Sequence, residues 1–177
     1  MMKVRSTLVL VVAGLAGAAS VGALAQAPAK KPAAAATPAP SHVMVAAADL
    51  KWGPAPPAMP PGAQAAVIAG DPSQAGSAFV MRAKLPDGYK VPPHWHPTDE
   101  NVTVLSGTFV AGMGETMNEA SMKAIGPGGF VRLAKKAPHY AMAKGETIIQ
   151  IHATGPFEIT YINPNDDPRK KATTGAK

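Results

Sequence analysis

The 177-residue sequence contains no cysteine. That absence excludes disulfide staples, thiolate zinc sites, a thiol nucleophile and a lipid-anchored N-terminal cysteine, so any metal must be held by nitrogen and oxygen. Aromatic residues are scarce, with two Trp, three Tyr and four Phe. The core must therefore rest on aliphatic and Met packing, and Met44, Met59, Met81, Met113, Met117, Met122 and Met142 read as filler for it rather than as copper ligands. A basic folded face is lacking as well. The net charge is +6, but residues 42–165 hold nine basic and nine acidic side chains, and the excess lies in the two ends. Nucleic acid is not an expected partner, since short basic tails are usually solvated. The length suits a single domain.

Lys3 and Arg5 precede an uncharged run over residues 8–25 that ends in Ala23, Leu24 and Ala25. This is the order of a secretory signal peptide, with cleavage expected after Ala25 and the mature chain periplasmic or secreted, without a stable membrane anchor. Its length is close to the minimum for an uncleaved span, but the run is rich in small residues. No twin-arginine pair precedes it, so folding and metal loading are expected after crossing. Residues 26–41 form an Ala/Pro-rich linker that cannot build a core. Residues 42–165 are expected to form one globular domain with a Pro-rich N-terminal arm, and residues 166–177 a basic flexible tail. The arm, residues 52–62, excludes helix and permits sheet only at an edge.

From Ala63 onward, short apolar runs are separated by Gly, Pro and Asp, and no window sustains a helical period beyond about ten residues. The expected class is all-β. Residues 79–85 place Phe79, Met81, Ala83 and Leu85 on one face, the pattern of a half-buried strand. Strands are expected also over 101–106, 108–113, 130–133, 139–144, 147–153 and 158–161, with one short helix over 115–123. A sandwich or barrel would close them.

The chemistry concentrates in histidines. His94 and His96 stand two apart, so both imidazoles share one face of an extended strand. Glu100 shares its face with Val102 and Val104, and a carboxylate on an apolar face needs a partner. A divalent cation held by these imidazoles, Glu100 and a third ring from His139 would supply one. His152 shares parity with Gln150 and Ile148; both polar residues are candidate assistants if that face points inward, although a lone histidine there is more often structural. His42 is expected in solvent, Lys135 and Lys136 in a solvated turn, and the sequon at Asn101 in a strand.

Residues 88–107 read Gly, five residues, His-x-His, three residues, Glu, six residues, Gly. With background frequencies of about 7% for Gly, ~6% for Glu and ~2% for His, five such matches at one start arise with a chance on the order of 10⁻⁷. The stretch resembles the first motif of the cupins. Of the second cupin motif Gly128 and His139 are present, while Ala134, Lys136 and Ala143 stand where Pro, Gly and Asn are usual, which puts the turn before His139 in question. The resemblance spans about residues 63–163. It implies a single-domain double-stranded β-helix, or jelly-roll barrel, with His94, His96, Glu100 and His139 as ligands to Fe, Mn, Ni, Co or Zn. It is also similar to small exported bacterial cupins, and a homodimer is compatible with it. A small oxygen-bearing ligand or substrate follows, with dioxygenase or decarboxylase chemistry in view. The other class is a non-enzymatic periplasmic module that binds or senses a metal or small ligand. For either, metal affinity is expected to fall as pH drops through about 6.5.

Overall fold

The computed structural model describes residues 42–170. The expected signal segment (1–25), the linker (26–41) and residues 171–177 of the tail lie outside them. Nine strands follow in order: β1 (Gly53–Pro54), β2 (Gln64–Ala69), β3 (Ala78–Leu85), β4 (Lys90–Trp95), β5 (Glu100–Met113), β6 (Lys123–Ile125), β7 (Phe130–Leu133), β8 (His139–Thr154) and β9 (Thr160–Tyr161). All pairings are antiparallel. No helix of the described residues is long and apolar enough to cross a membrane.

β5 and β8 organise the molecule. The sequence reads each as two strands broken at Gly107 and Gly145, yet both run through. These glycines adopt φ of 73° and 70° and bend the strands. The first part of β5 pairs with β7 and with the last part of β8, where Asn101 faces His152. The last part of β5 pairs with β6 and with the first part of β8, where Met113 faces His139. Register shifts around Ser106 separate the two regions. One continuous sheet therefore folds into two layers, with β1-β2-β3 extending the first and β4-β9 the second.

The inner faces of both layers share one core. Phe79, Met81, Ala83 and Leu85 of β3 meet Val102, Val104 and Phe109 of β5 and Ala141, Ala143, Ile149 and Ile151 of β8. Each large aliphatic buried there contributes about 1.5–3 kcal/mol. The inward parity of β5 changes from Glu100, Val102 and Val104 to Phe109 and Ala111 across the bulge, which the extra residues of the bend require. Met59 and Met81 do fill the core. Met44 and Met113 do not: they are 96% and 58% exposed, so the filler reading is corrected for both.

Three other expectations change. The helix over 115–123 reduces to a 3₁₀ turn at Glu119–Ser121, begun by Asn118, whose side chain accepts from the Ala120 amide. Lys123 opens β6 instead. The strand over 158–161 shortens to β9. The turn before His139 survives despite its missing glycine, because Lys136 takes up φ of 59°. The Pro-rich arm lies on the core through Ala55 and Met59. It is held by the Tyr161 hydroxyl donating to the Ala58 carbonyl at 2.7 Å and the Tyr89 hydroxyl donating to that of Pro60. Burial pushes Tyr161 up to about 12, which keeps that donor protonated.

Two substitutions test the bends. A Cβ at Gly107 would collide with the Glu146 carbonyl and the Thr147 side chain at a positive φ, so Gly107→Ala should lose at least about 2 kcal/mol in urea unfolding. Lys136→Gly should instead gain up to about 1 kcal/mol, since glycine carries no Cβ penalty in the left-handed region. Unchanged stability in both would contradict the described backbone.

Candidate metal centre

The site forms where the two layers come together. β4 delivers His94, which stands directly opposite His139 at the start of β8. His96 lies one residue beyond β4, and Glu100 opens β5. The bends in β5 and β8 carry Glu100 over His139, although these residues begin strands that pair along their length in opposite directions. All four side chains are buried.

The rings of His94, His96 and His139 lie 4.3 to 5.3 Å apart between centres. One nitrogen from each lies within 4.8 Å of the others, an arrangement able to hold a metal ion. Glu100 Oε2 is 3.4 Å from His96 Nε2 and 3.6 Å from His139 Nε2. The remaining ring nitrogens decide the tautomers. His94 Nδ1 is 2.7 Å from the Pro92 carbonyl, His96 Nδ1 is 2.7 Å from that of Glu158, and His139 Nδ1 is 2.9 Å from that of Ala137. A carbonyl only accepts, so each Nδ1 carries a hydrogen and each neutral ring presents an Nε2 lone pair. Hydrogen bonds of this kind orient metal-binding imidazoles.

Electrostatics agree with neutral rings at His94 and His96. Burial, with the adjoining His139 and His96, pushes His94 from 6.5 down to about 3. Burial also lowers His96, against the opposing pull of Glu100. Burial opposes ionisation of Glu100, and only positive charge beside it, on the facing rings or on a cation in their place, holds its carboxyl below the ordinary range. The centre thus holds three lone pairs, two of them, on His96 and His139, beside the Glu100 carboxylate. His139 Nε2 is buried without a hydrogen-bond partner among the described residues. An orphaned buried nitrogen beside a carboxylate is a polar cluster that lacks its positive charge. A divalent cation fits that donor set.

Two loops are fastened together around the site. Asp99 accepts from the Arg132 guanidinium at 2.6 Å and from the Lys135 amide at 2.9 Å, while the Lys136 amide donates to the His96 carbonyl at 2.8 Å. The ion pair is exposed, and its main effect is alignment of the His96 and His139 loops.

Gln150 and His152 are corrected. β8 turns Ile149 and Ile151 into the core, so these two point outward. Gln150 accepts from Arg82 Nε at 2.9 Å and contacts His152 at 2.8 Å. They reach no part of the site. Sequence reasoning missed Phe157, whose ring stacks on His96 with centres 4.3 Å apart and planes 9° apart. Its neighbours Gly155 and Pro156 signal only a turn.

Because the folded state holds His94 neutral, the unfolded chain takes up its proton first as pH falls below 6.5. Metal-free protein should lose stability between pH 6.5 and about 3, at up to about 1.4 kcal/mol per unit for this group. Unfolding in denaturant at several pH values checks this, and a flat profile would contradict a buried neutral ring. At His94 and His96 competition from protons also moves to lower pH than the sequence suggests.

Comparison with known proteins supports the architecture. The polyketide cyclase RemF from Streptomyces resistomycificus matches with a TM-score of 0.55 at 16% identity, over 73% of this chain and 92% of its own. An RmlC-like cupin from Shewanella frigidimarina matches with a TM-score of 0.50 at 11% identity, over 66% of this chain and 94% of its own. At such identities the likeness shows the fold, the cupin-type double-stranded β-helix. No curated protein matches the sequence. The family model described as "Domain of unknown function (DUF4437)" matches residues 22–160, and the chain belongs to that family.

Proposed function

We propose that this protein is an exported cupin that holds one divalent cation on His94, His96, His139 and Glu100 and binds a small oxygen-bearing molecule there. The observation that carries the reading is the locking of all three Nδ1 atoms onto carbonyls, which leaves three Nε2 lone pairs, two of them beside the buried Glu100 carboxylate. Export rests on the charged, apolar and small-residue order of the first 25 residues.

Three nitrogens and one oxygen suit Fe(II), Mn, Ni or Co with positions left for a ligand, or Zn with four-coordination. When bound, such an ion polarises a ligand oxygen as a Lewis acid. The chain's residues position it, exclude water and leave space, since Ala141 shares the inward face of His139 and lines the cavity beside the rings. Dioxygenase- or decarboxylase-like chemistry would have to use Glu100 for any proton, because no other carboxyl of the described residues lines that cavity. The same observation favours the second reading, a periplasmic metal- or ligand-binding module without turnover.

His96→Ala should weaken metal binding by at least about 100-fold, read as metal per chain after dialysis, with circular dichroism reporting the fold. Full stoichiometry in the folded variant would refute the ligand set. In the unsubstituted protein, metal at about 100 times its dissociation constant should add about 2.7 kcal/mol of stability, and no thermal shift with any of the five ions would count against a metal centre.

A further inference from the structure

The cavity that adjoins the four site residues encloses about 280 Å³. Its walls come from the Pro-rich arm, β2, β3, the inner faces of β5 and β8, and the segment after β8. Met59, Met81, Leu85, Phe109, Ile151 and Phe157 are among them. Among the described residues, the only polar side chains that line it are His94, His96, Glu100 and His139. No Lys, Arg, Ser, Thr, Asn, Gln or Tyr of the described residues lines it. The polar groups all stand at one end, and everything else in contact with a ligand would be aliphatic, aromatic or thioether.

We propose that the molecule taken by this site is a mostly apolar, ring-sized compound that presents a single oxygen-bearing end to the metal, and not a polyhydroxylated acid. This rests on the reading of the four residues as a metal centre. An apolar cavity of about 150 Å³ holds benzene, so the present volume accommodates roughly two fused rings. Phe157, stacked on His96, presents an aromatic wall next to the metal end, and Met59 supplies a soft side chain that adapts to flat ligands. A second carboxylate or a row of hydroxyls would have no partner here. Each hydroxyl buried without one weakens binding by roughly tenfold or more.

The way in is apolar too. Val67 lines the cavity and is nevertheless 52% exposed, which marks the place where the cavity reaches the surface, between β2 and the arm. Such a mouth offers no charge to attract an anion and matches an uncharged ring.

The test uses full-length protein loaded with Zn(II), its metal content measured first, titrated with 2,3-dihydroxynaphthalene and with D-gluconate by calorimetry. The bicyclic diol should bind at least about 100-fold more tightly than gluconate, the product of two or more unpaired hydroxyls. Ala141→Leu, which fills space beside His139, should keep its zinc and weaken the diol at least about tenfold. Val67→Trp, at an exposed position that the fold tolerates, should slow association of the diol without changing zinc content. Equal or tighter binding of gluconate to zinc-loaded protein, or no binding of the diol, overturns the ligand class and leaves the metal centre standing. Failure to take up zinc or any other divalent ion overturns the metal reading, and the proposal with it.

Discussion

A main-chain carbonyl fixes the proton of each buried imidazole on Nδ1, and the chemistry open to this molecule follows from the three lone pairs that remain. The carbonyls of Pro92, Ala137 and Glu158 belong to three different segments. Each segment is extended or turned for its own reasons: Pro92 lies within β4, Ala137 follows the left-handed Lys136, and Glu158 sits in the stretch that stops short of β9. The consequence is a centre of donors without a donor hydrogen among them, next to a carboxylate that burial alone would keep neutral.

The double bend of β5 and β8 is what brings those segments together. Strands of 14 and 16 residues are long for a small domain, and an unbent pair would hold Glu100 and His139 at opposite ends of the ladder. Glycines at the bends let one sheet become two layers, and the layers enclose both the apolar core and the polar cluster at its end. Asp99, Arg132 and Lys136 then bind the loops to each other from outside. Structure and chemistry meet at a shared boundary, because the cavity wall is also the inner face of the core.

The first histidine motif was legible because two residues on an extended chain must share a face, and Glu100 sits in phase with Val102 and Val104. Strand class was legible from the same alternation, and β7 was read to the residue. Strand continuity was not: a glycine that ends one strand and a glycine that bends it leave the same mark in the sequence, and only long-range pairing distinguishes them. The facing of Gln150 and His152 was illegible for a related reason, since parity gives two faces without saying which is inside. Their neighbours Ile149 and Ile151 are more apolar, and that contrast is the signal that locates the core side. Phe157 and the Glu158 carbonyl left no local trace, because their importance comes from contact with His96, some sixty residues away.

The central claim is that three imidazoles and one carboxylate meet on a single cation. X-ray absorption of Co(II)-loaded protein at the metal edge addresses it most directly. The account predicts one cobalt per chain with the multiple-scattering pattern of three imidazole rings and at least one oxygen in the first shell. A shell of oxygens alone, or with a single imidazole, would contradict it.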